Sequence, residues 1–287
     1  VIKYLLSDAV SAAAAWTLFY TYRKVSVESA KFGMDVQVDY DQKFMISLGI
    51  ITALWLIVYI VTGTYRNIYR KSRLKEIGQT FRITLLGVIV IFFTLLLDDV
   101  VPDYKAYYLS TLTLFLAHFG FTAAGRLILS SITNSRIRNR KIGFDTILIG
   151  SNANALKLYN ELEGQSRSWG YKFIGYVHVD NNNGFSEELK AKLPNLGEVE
   201  NLRQIIDECK AEEAIIAIET FEHDRINGII NQVNSSNVIV KMVPDLYDIL
   251  SGQVKMTSIF GAPLIEINRE IMPAWQTTMK RVIDVAA

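Results

Sequence analysis

Four long apolar runs fill the first ~130 residues, and a soluble fold has no use for four such segments in succession. They are Ile2–Tyr20, Phe44–Tyr65, Phe81–Val101 and Tyr107–Ile132. At 1.5 Å per helical residue, several are long enough to cross ~30 Å of hydrocarbon. The chain is therefore expected to sit in a membrane. Half of its 287 residues are hydrophobic and its mean hydropathy is +0.20, an average over two unlike parts. A formal net charge of +1 gives no global electrostatic case for binding nucleic acid. Cys209 stands alone, which excludes an intrachain disulfide framework. The sequence starts at Val1 and stops at Ala287 within an apolar stretch, so a fragment of a longer protein is expected. No small-residue cleavage site follows the first run, which argues against a removed signal peptide.

Charge sets the expected topology. Arg66, Arg70, Lys71, Arg73 and Lys75 lie between the second and third runs, and Arg136, Arg138, Arg140 and Lys141 follow the fourth. The loop between the third and fourth runs is acidic, with Asp98, Asp99 and Asp103. The positive-inside bias then places both basic segments, and both chain ends, in the cytoplasm. Tyrosines such as Tyr20, Tyr65, Tyr104 and Tyr108 cluster near run ends, as an interfacial belt requires. Asp8 and His118 are ionisable residues that fall inside runs. An intramembrane charge marks a functional site by default; the plainer reading puts Asp8 near the cytoplasmic face and His118 neutral against a neighbouring helix. Neither belongs to a relay-type cluster that the sequence makes visible.

From Asp145 onward the period changes. Short apolar segments at Thr146–Gly150, Lys172–Val179, Ala214–Ile218 and Val238–Val243 read as strands. Helical patterns at Asn154–Glu163, Val199–Lys210 and Asp224–Asn234 lie between them, and Asn181–Gly184 is a turn cluster. Strands alternating with helices predict a doubly wound parallel sheet. The expected organisation is a four-helix transmembrane domain over 1–132 and a basic linker over 133–144. A cytoplasmic Rossmann-like domain follows over 145–268, and 269–287 leads into a further membrane helix.

The loop Gly150-Ser151-Asn152-Ala153-Asn154-Ala155 occupies the place of a dinucleotide fingerprint, whose glycines let backbone approach a pyrophosphate at a helix N-terminus. Only the first glycine is present; Asn152 replaces the second and Ala155 the third. Asp180, closing the second strand, stands where an acid would bind a ribose. Gly150, Ser151, Asn152, Ala155 and Asp180 are thus the candidate ligand residues. Two readings stay open: a nucleotide or nucleotide-sugar site, or a bare structural turn, since Asn152 crowds a diphosphate. His178 and His223, with one cysteine and no spaced ligand set, give zinc little support. No Ser-His-Asp ordering or nucleophile elbow is visible, and His178 reads as packed in its strand.

The last third of the chain carries a resemblance. Val243-Pro244-Asp245-Leu246-Tyr247-Asp248-Ile249-Leu250-Ser251-Gly252 is followed by Gly261-Ala262-Pro263-Leu264-Ile265-Glu266-Ile267, then Trp275, then Lys280-Arg281-Val282-Ile283-Asp284. Together with Gly63-x-Tyr65-Arg66, Gly170-Tyr171 and Gly175-Tyr176, this order resembles the large bacterial polyprenyl-phosphate phosphoglycosyltransferases. In these, four membrane helices precede a Rossmann-like, CoA-binding-like domain. A catalytic domain then opens with Lys-Arg-x-x-Asp at a re-entrant helix. The resemblance implies transfer of a sugar 1-phosphate from a UDP-sugar to undecaprenyl phosphate at the bacterial inner membrane, beginning capsule, exopolysaccharide or O-antigen synthesis. It implies an Asp-Glu pair acting with Mg²⁺, and a homodimer. The catalytic pair falls beyond Ala287, so no catalytic residue carries over. Lys280, Arg281 and Asp284 are assigned only to seating the re-entrant helix at the interface. Membrane-bound nucleotide-sugar 4,6-dehydratases share the same front end, and a non-catalytic membrane sensor or scaffold is the third reading.

Overall fold

The computed structural model describes residues 1–66, 68–96, 104–179, 186–218, 223–233, 236, 238–243, 264–267, 276 and 280. Two compact units result, one including Val1–Asn134 and the other Ser135–Glu270.

The first unit is helical: α1 (Ile2–Tyr22), α2 (Ser29–Phe32), α3 (Gln42–Val61), α4 (Arg73–Ile91) and α5 (Tyr104–Arg138). Local chemistry fixes their ends. Asp41 caps α3 by accepting from the Phe44 N–H at 2.8 Å, and Ser72 caps α4 by accepting from the Lys75 N–H at 3.2 Å. The Ser72 cap explains why α4 starts eight residues before the apolar run at Phe81. Gly63, at φ +66°, lets the chain turn left-handed so that the Thr64 N–H reaches the Tyr59 carbonyl, closing α3.

Among the described residues, three helical segments are long and apolar enough to cross a membrane: Gln42–Val61, Arg73–Leu95 and Tyr104–Arg138. The fourth expected span does form a helix, but α1 is not among them. Lys3, Ser7, Asp8, Ser11 and a run of four alanines dilute its apolar content. Inside the unit, Trp16 and Phe19 of α1, Trp55 and Tyr59 of α3, Val88 of α4 and Leu114 of α5 form one core. Ile46, Ile50, Ile57, Leu86, Val90 and Leu116 face outward and exposed, as a hydrocarbon solvent allows.

The second unit is the α/β domain. Its elements are β1 (Phe144–Ile149), α6 (Ala153–Glu163), β2 (Tyr171–His178), α7 (Glu187–Lys192), β3 (Asn195–Glu198), α8 (Leu202–Cys209), β4 (Glu213–Ile216), α9 (His223–Val233), β5 (Ile239–Met242) and β6 (Ile265–Glu266). The described strands form a six-stranded sheet in the order β3-β2-β1-β4-β5-β6, parallel except for β6, which runs antiparallel to β5. Alternate strand residues serve opposite faces. Ile147, Ile149, Ile216 and Val240 pack under α8 and α9, whereas Leu148, Tyr176 and Ile215 pack with α6 and α7. Helices on both faces explain why Ile147–Ile149 of β1 and Ala214–Ile216 of β4 read as unbroken apolar runs. The expected doubly wound architecture is present; the antiparallel rim strand makes the sheet mixed.

Candidate functional site

In a sheet of this order the chain reverses direction between β1 and β4, and ligands of such folds bind in the crevice past the strands' C-terminal ends. Gly150 through Ala155 lie there, between β1 and α6. Gly150 adopts φ +135°, and a Cβ on it would stand 2.8 Å from the Ala217 carbonyl oxygen. Close approach of the chain leaving β4 thus requires this glycine. Asn152 is the N-cap of α6: its Oδ1 accepts from the Ala155 N–H at 3.0 Å, and the residue is 3% exposed. Ala155 is buried in the α6 core. The Ser151 hydroxyl lies 2.7 Å from His178 Nδ1, and its carbonyl accepts from the Ser186 N–H at 2.9 Å. His178 Nε2 in turn stands 4.0 Å from Glu198 Oε2.

Gly150, Ser151, Asn152 and Ala155 lie in this one loop between β1 and α6, while Asp180 lies outside the described residues. So do the turn at 181–184, all of 244–263, Trp275 and Arg281–Asp284. Sequence reading kept His178 as a packed strand residue. The structure instead sets it beside Ser151 at the sheet's ligand edge, with Glu198 of the next strand near its far nitrogen. Among the described residues, no group of three or more His, Cys, Asp or Glu is placed to hold a metal ion.

At the other end of the strands sits a second polar group. Lys241 Nζ bonds Glu213 Oε2 at 2.6 Å and the Tyr171 hydroxyl at 3.3 Å, with its ammonium 4.7 Å from the Tyr171 ring centre. Glu213 is 1% exposed. Burial works against the charge on Lys241, but Glu213 and Tyr171 outweigh it and hold its pKa above the usual lysine value. Burial likewise pushes the Tyr171 hydroxyl up. Tyr171 and Glu213 open β2 and β4, so this cluster pins strand starts and lies away from the ligand edge.

The helical unit holds a network that sequence reading did not foresee. Arg126 of α5 bonds Asp8 of α1 in a fork, Nε to Oδ1 at 3.0 Å and Nη2 to Oδ2 at 2.7 Å. Its Nη1 donates to Thr80 Oγ1 of α4 at 2.8 Å, and its guanidinium lies 4.2 Å from the Tyr59 ring centre. Tyr65 adds a bond to Asp8 Oδ2 at 2.8 Å, which gives the Gly63-x-Tyr65 sequence a local purpose. Tyr59 pairs with His118 Nε2 at 2.8 Å, and His118 stacks on Trp55 with ring centres 3.7 Å apart. Asp8, His118 and Arg126 are each 1% exposed. Asp8 and His118 thus belong to one buried network, joined through an arginine hidden inside the fourth apolar run. The signal was the placement of that arginine on the face of α5 shared with His118, eight residues earlier.

Residues 60–244 match a family described as a CoA-binding domain. No curated protein matches the chain. Among solved structures, UDP-D-quinovosamine 4-dehydrogenase from Vibrio fischeri is similar at 16% identity, over 45% of this chain and 97% of that one. Its TM-score of 0.32 is too loose a likeness to argue from. The family match, in contrast, takes in well over half of the sequence, from the end of α3 through β5, and so this chain belongs to the CoA-binding domain family.

Proposed function

We propose that this chain is the membrane-anchoring and regulatory part of an enzyme that transfers sugar 1-phosphate from a UDP-sugar to undecaprenyl phosphate. Its place is the bacterial inner membrane with both ends cytoplasmic, where activated sugar donors are made, and its working form is a homodimer. The observation that carries this reading is the continuity of the family match across apolar helices and α/β domain, as one module. The family is typical of polysaccharide-biosynthesis and sugar-modifying proteins. The Lys280-Arg281-x-x-Asp284 order favours the transferase over the 4,6-dehydratases that share this front end. Mg²⁺ belongs to the catalytic portion, where it neutralises the donor diphosphate.

CoA, the ligand in the family's description, carries a diphosphate, which folds of this type bind on helix N-terminal N–H groups. At α6 one of those donors is already taken. Asn152 Oδ1 holds the Ala155 N–H, and the Ser151 hydroxyl is engaged with His178. The residues present do not fit a diphosphate in this position. In the proposed role the domain positions and pairs the enzyme without needing a bound nucleotide.

The test is a transfer assay on membranes containing the full gene product, with undecaprenyl phosphate and a panel of labelled UDP-hexoses. Lipid-extractable label accompanied by released UMP is the expected result, and residues 1–287 alone should give none. A 4-keto sugar in place of lipid-linked product would establish the dehydratase reading. Turnover by 1–287 alone would overturn the non-catalytic assignment.

A further inference from the structure

Among the described residues, α1 is the one long helix of the first unit that falls outside the segments apolar enough to cross a membrane. Asp8 and Ser11 nevertheless face inward. Tyr4, Asp8, Ala12, Trp16 and Phe19 are all buried, one above another along a helical stripe. Arg126 presents the complementary difficulty: a guanidinium on a membrane-crossing helix is among the least tolerable groups in hydrocarbon unless it is paired.

Each residue resolves the other's difficulty. Both oxygens of Asp8 are taken, Oδ1 by Arg126 Nε and Oδ2 by Arg126 Nη2 and the Tyr65 hydroxyl. With its oxygens filled and Arg126 also bonded to Thr80, the pair is a joint between helices and offers no open ligand position. Small residues let the two backbones close on it. A Cβ on Gly125 would stand 2.5 Å from Ser7 Oγ, and the Ser11 hydroxyl donates to the Phe121 carbonyl at 3.2 Å.

We infer that α1 is a conditional fourth membrane span, seated across the bilayer by the Asp8–Arg126 pair and dependent on α5 for its place. The helix made first is seated last: α1 lacks the apolar content to stay inserted until Arg126, more than a hundred residues later in the chain, arrives to pair its carboxylate. The three remaining spans insert by their own hydropathy, and the basic segment Arg66–Lys75 orients them. When α1 is unseated, the start of α3 remains on the outer side and both flanks of α1 lie on the same side.

Sidedness reporters test this. Lys3→Cys and Met34→Cys flank α1, and each is placed singly in a Cys209→Ser background. The chains are translated into bacterial inner-membrane vesicles and probed with a membrane-impermeant maleimide, so that unstable variants still reach the gel. In the parent the two sites label from opposite faces. In Arg126→Leu both label from the same face, with the ratio between faces at Lys3 changing by about tenfold or more. Asp8→Leu/Arg126→Leu removes both charges and returns the sites to opposite faces, a recovery that general damage to the bundle would not give. Sites that stay on opposite faces in Arg126→Leu overturn the inference. So does a double variant that leaves them on the same face.

Discussion

An asparagine at a helix start satisfies a backbone N–H with its own amide oxygen, and at Asn152 that oxygen occupies the position a diphosphate takes in dinucleotide-binding loops. Exchange of an N-cap asparagine for glycine costs only a few tenths of a kcal/mol. Asn152→Gly is therefore a mild way to vacate the position. With ligand at ~100 times its dissociation constant, binding would add about 2.7 kcal/mol, read as a rise of several degrees in melting temperature. We expect no rise for the parent chain in detergent with CoA, NAD or UDP-hexoses, and a rise in Asn152→Gly with at least one of them. A ligand-induced rise in the parent would return the loop to service as a nucleotide sensor. Gly150 needs no such ligand to account for it, because the Ala217 carbonyl leaves no room for a Cβ.

Among the strands, the Lys241–Glu213–Tyr171 cluster ties β5, β4 and β2 together near their buried starts. A lysine pKa raised by folding stabilises the fold fully below the ordinary lysine value of about 10.4. That contribution fades as pH climbs through the folded value. The parent should thus lose melting temperature above about pH 10 more steeply than Lys241→Met. At pH 8 the variant should be less stable by about 3 kcal/mol, since it takes the ammonium from a carboxylate that is 1% exposed. Equal pH profiles for the two chains would show that the cluster is not coupled to folding. The elements around it differ in how plainly the sequence announces them. Ile147–Ile149 of β1 and Ala214–Ile216 of β4 are short apolar runs buried in the sheet, and their apolarity alone marks them. β3 has the sequence Asn195-Leu196-Gly197-Glu198, with no apolar alternation, and it exists because β2 offers it a ladder to join. α7 is a single capped turn and a half, too short for a period to show. Arg126 escaped for the opposite reason: a run judged by length and apolarity conceals which face its one cation occupies, and only the packed partner, Asp8, reveals it. The candidate loop was legible as a position, but its local capping role depended on side-chain direction.

As a whole, the chain joins helices fitted to hydrocarbon with a doubly wound sheet of the CoA-binding domain family. The proposed homodimer makes a direct prediction. Sedimentation of the detergent-solubilised chain should report two copies per particle across a wide dilution range. A particle that contains one copy at every concentration would remove self-association from the proposed role. Whatever joins the copies has to contend with how the sheet is bounded. Of the described strands, β3 at one rim is four residues long and follows Pro194, and β6 at the other is two residues long and runs against its neighbour. Rims this short give a foreign strand almost no backbone to extend. Proteins confined to a bilayer collide far more often than the same number free in three dimensions. Among the described strands such encounters find little ladder on which to grow, which works against fibre-like stacking in the plane.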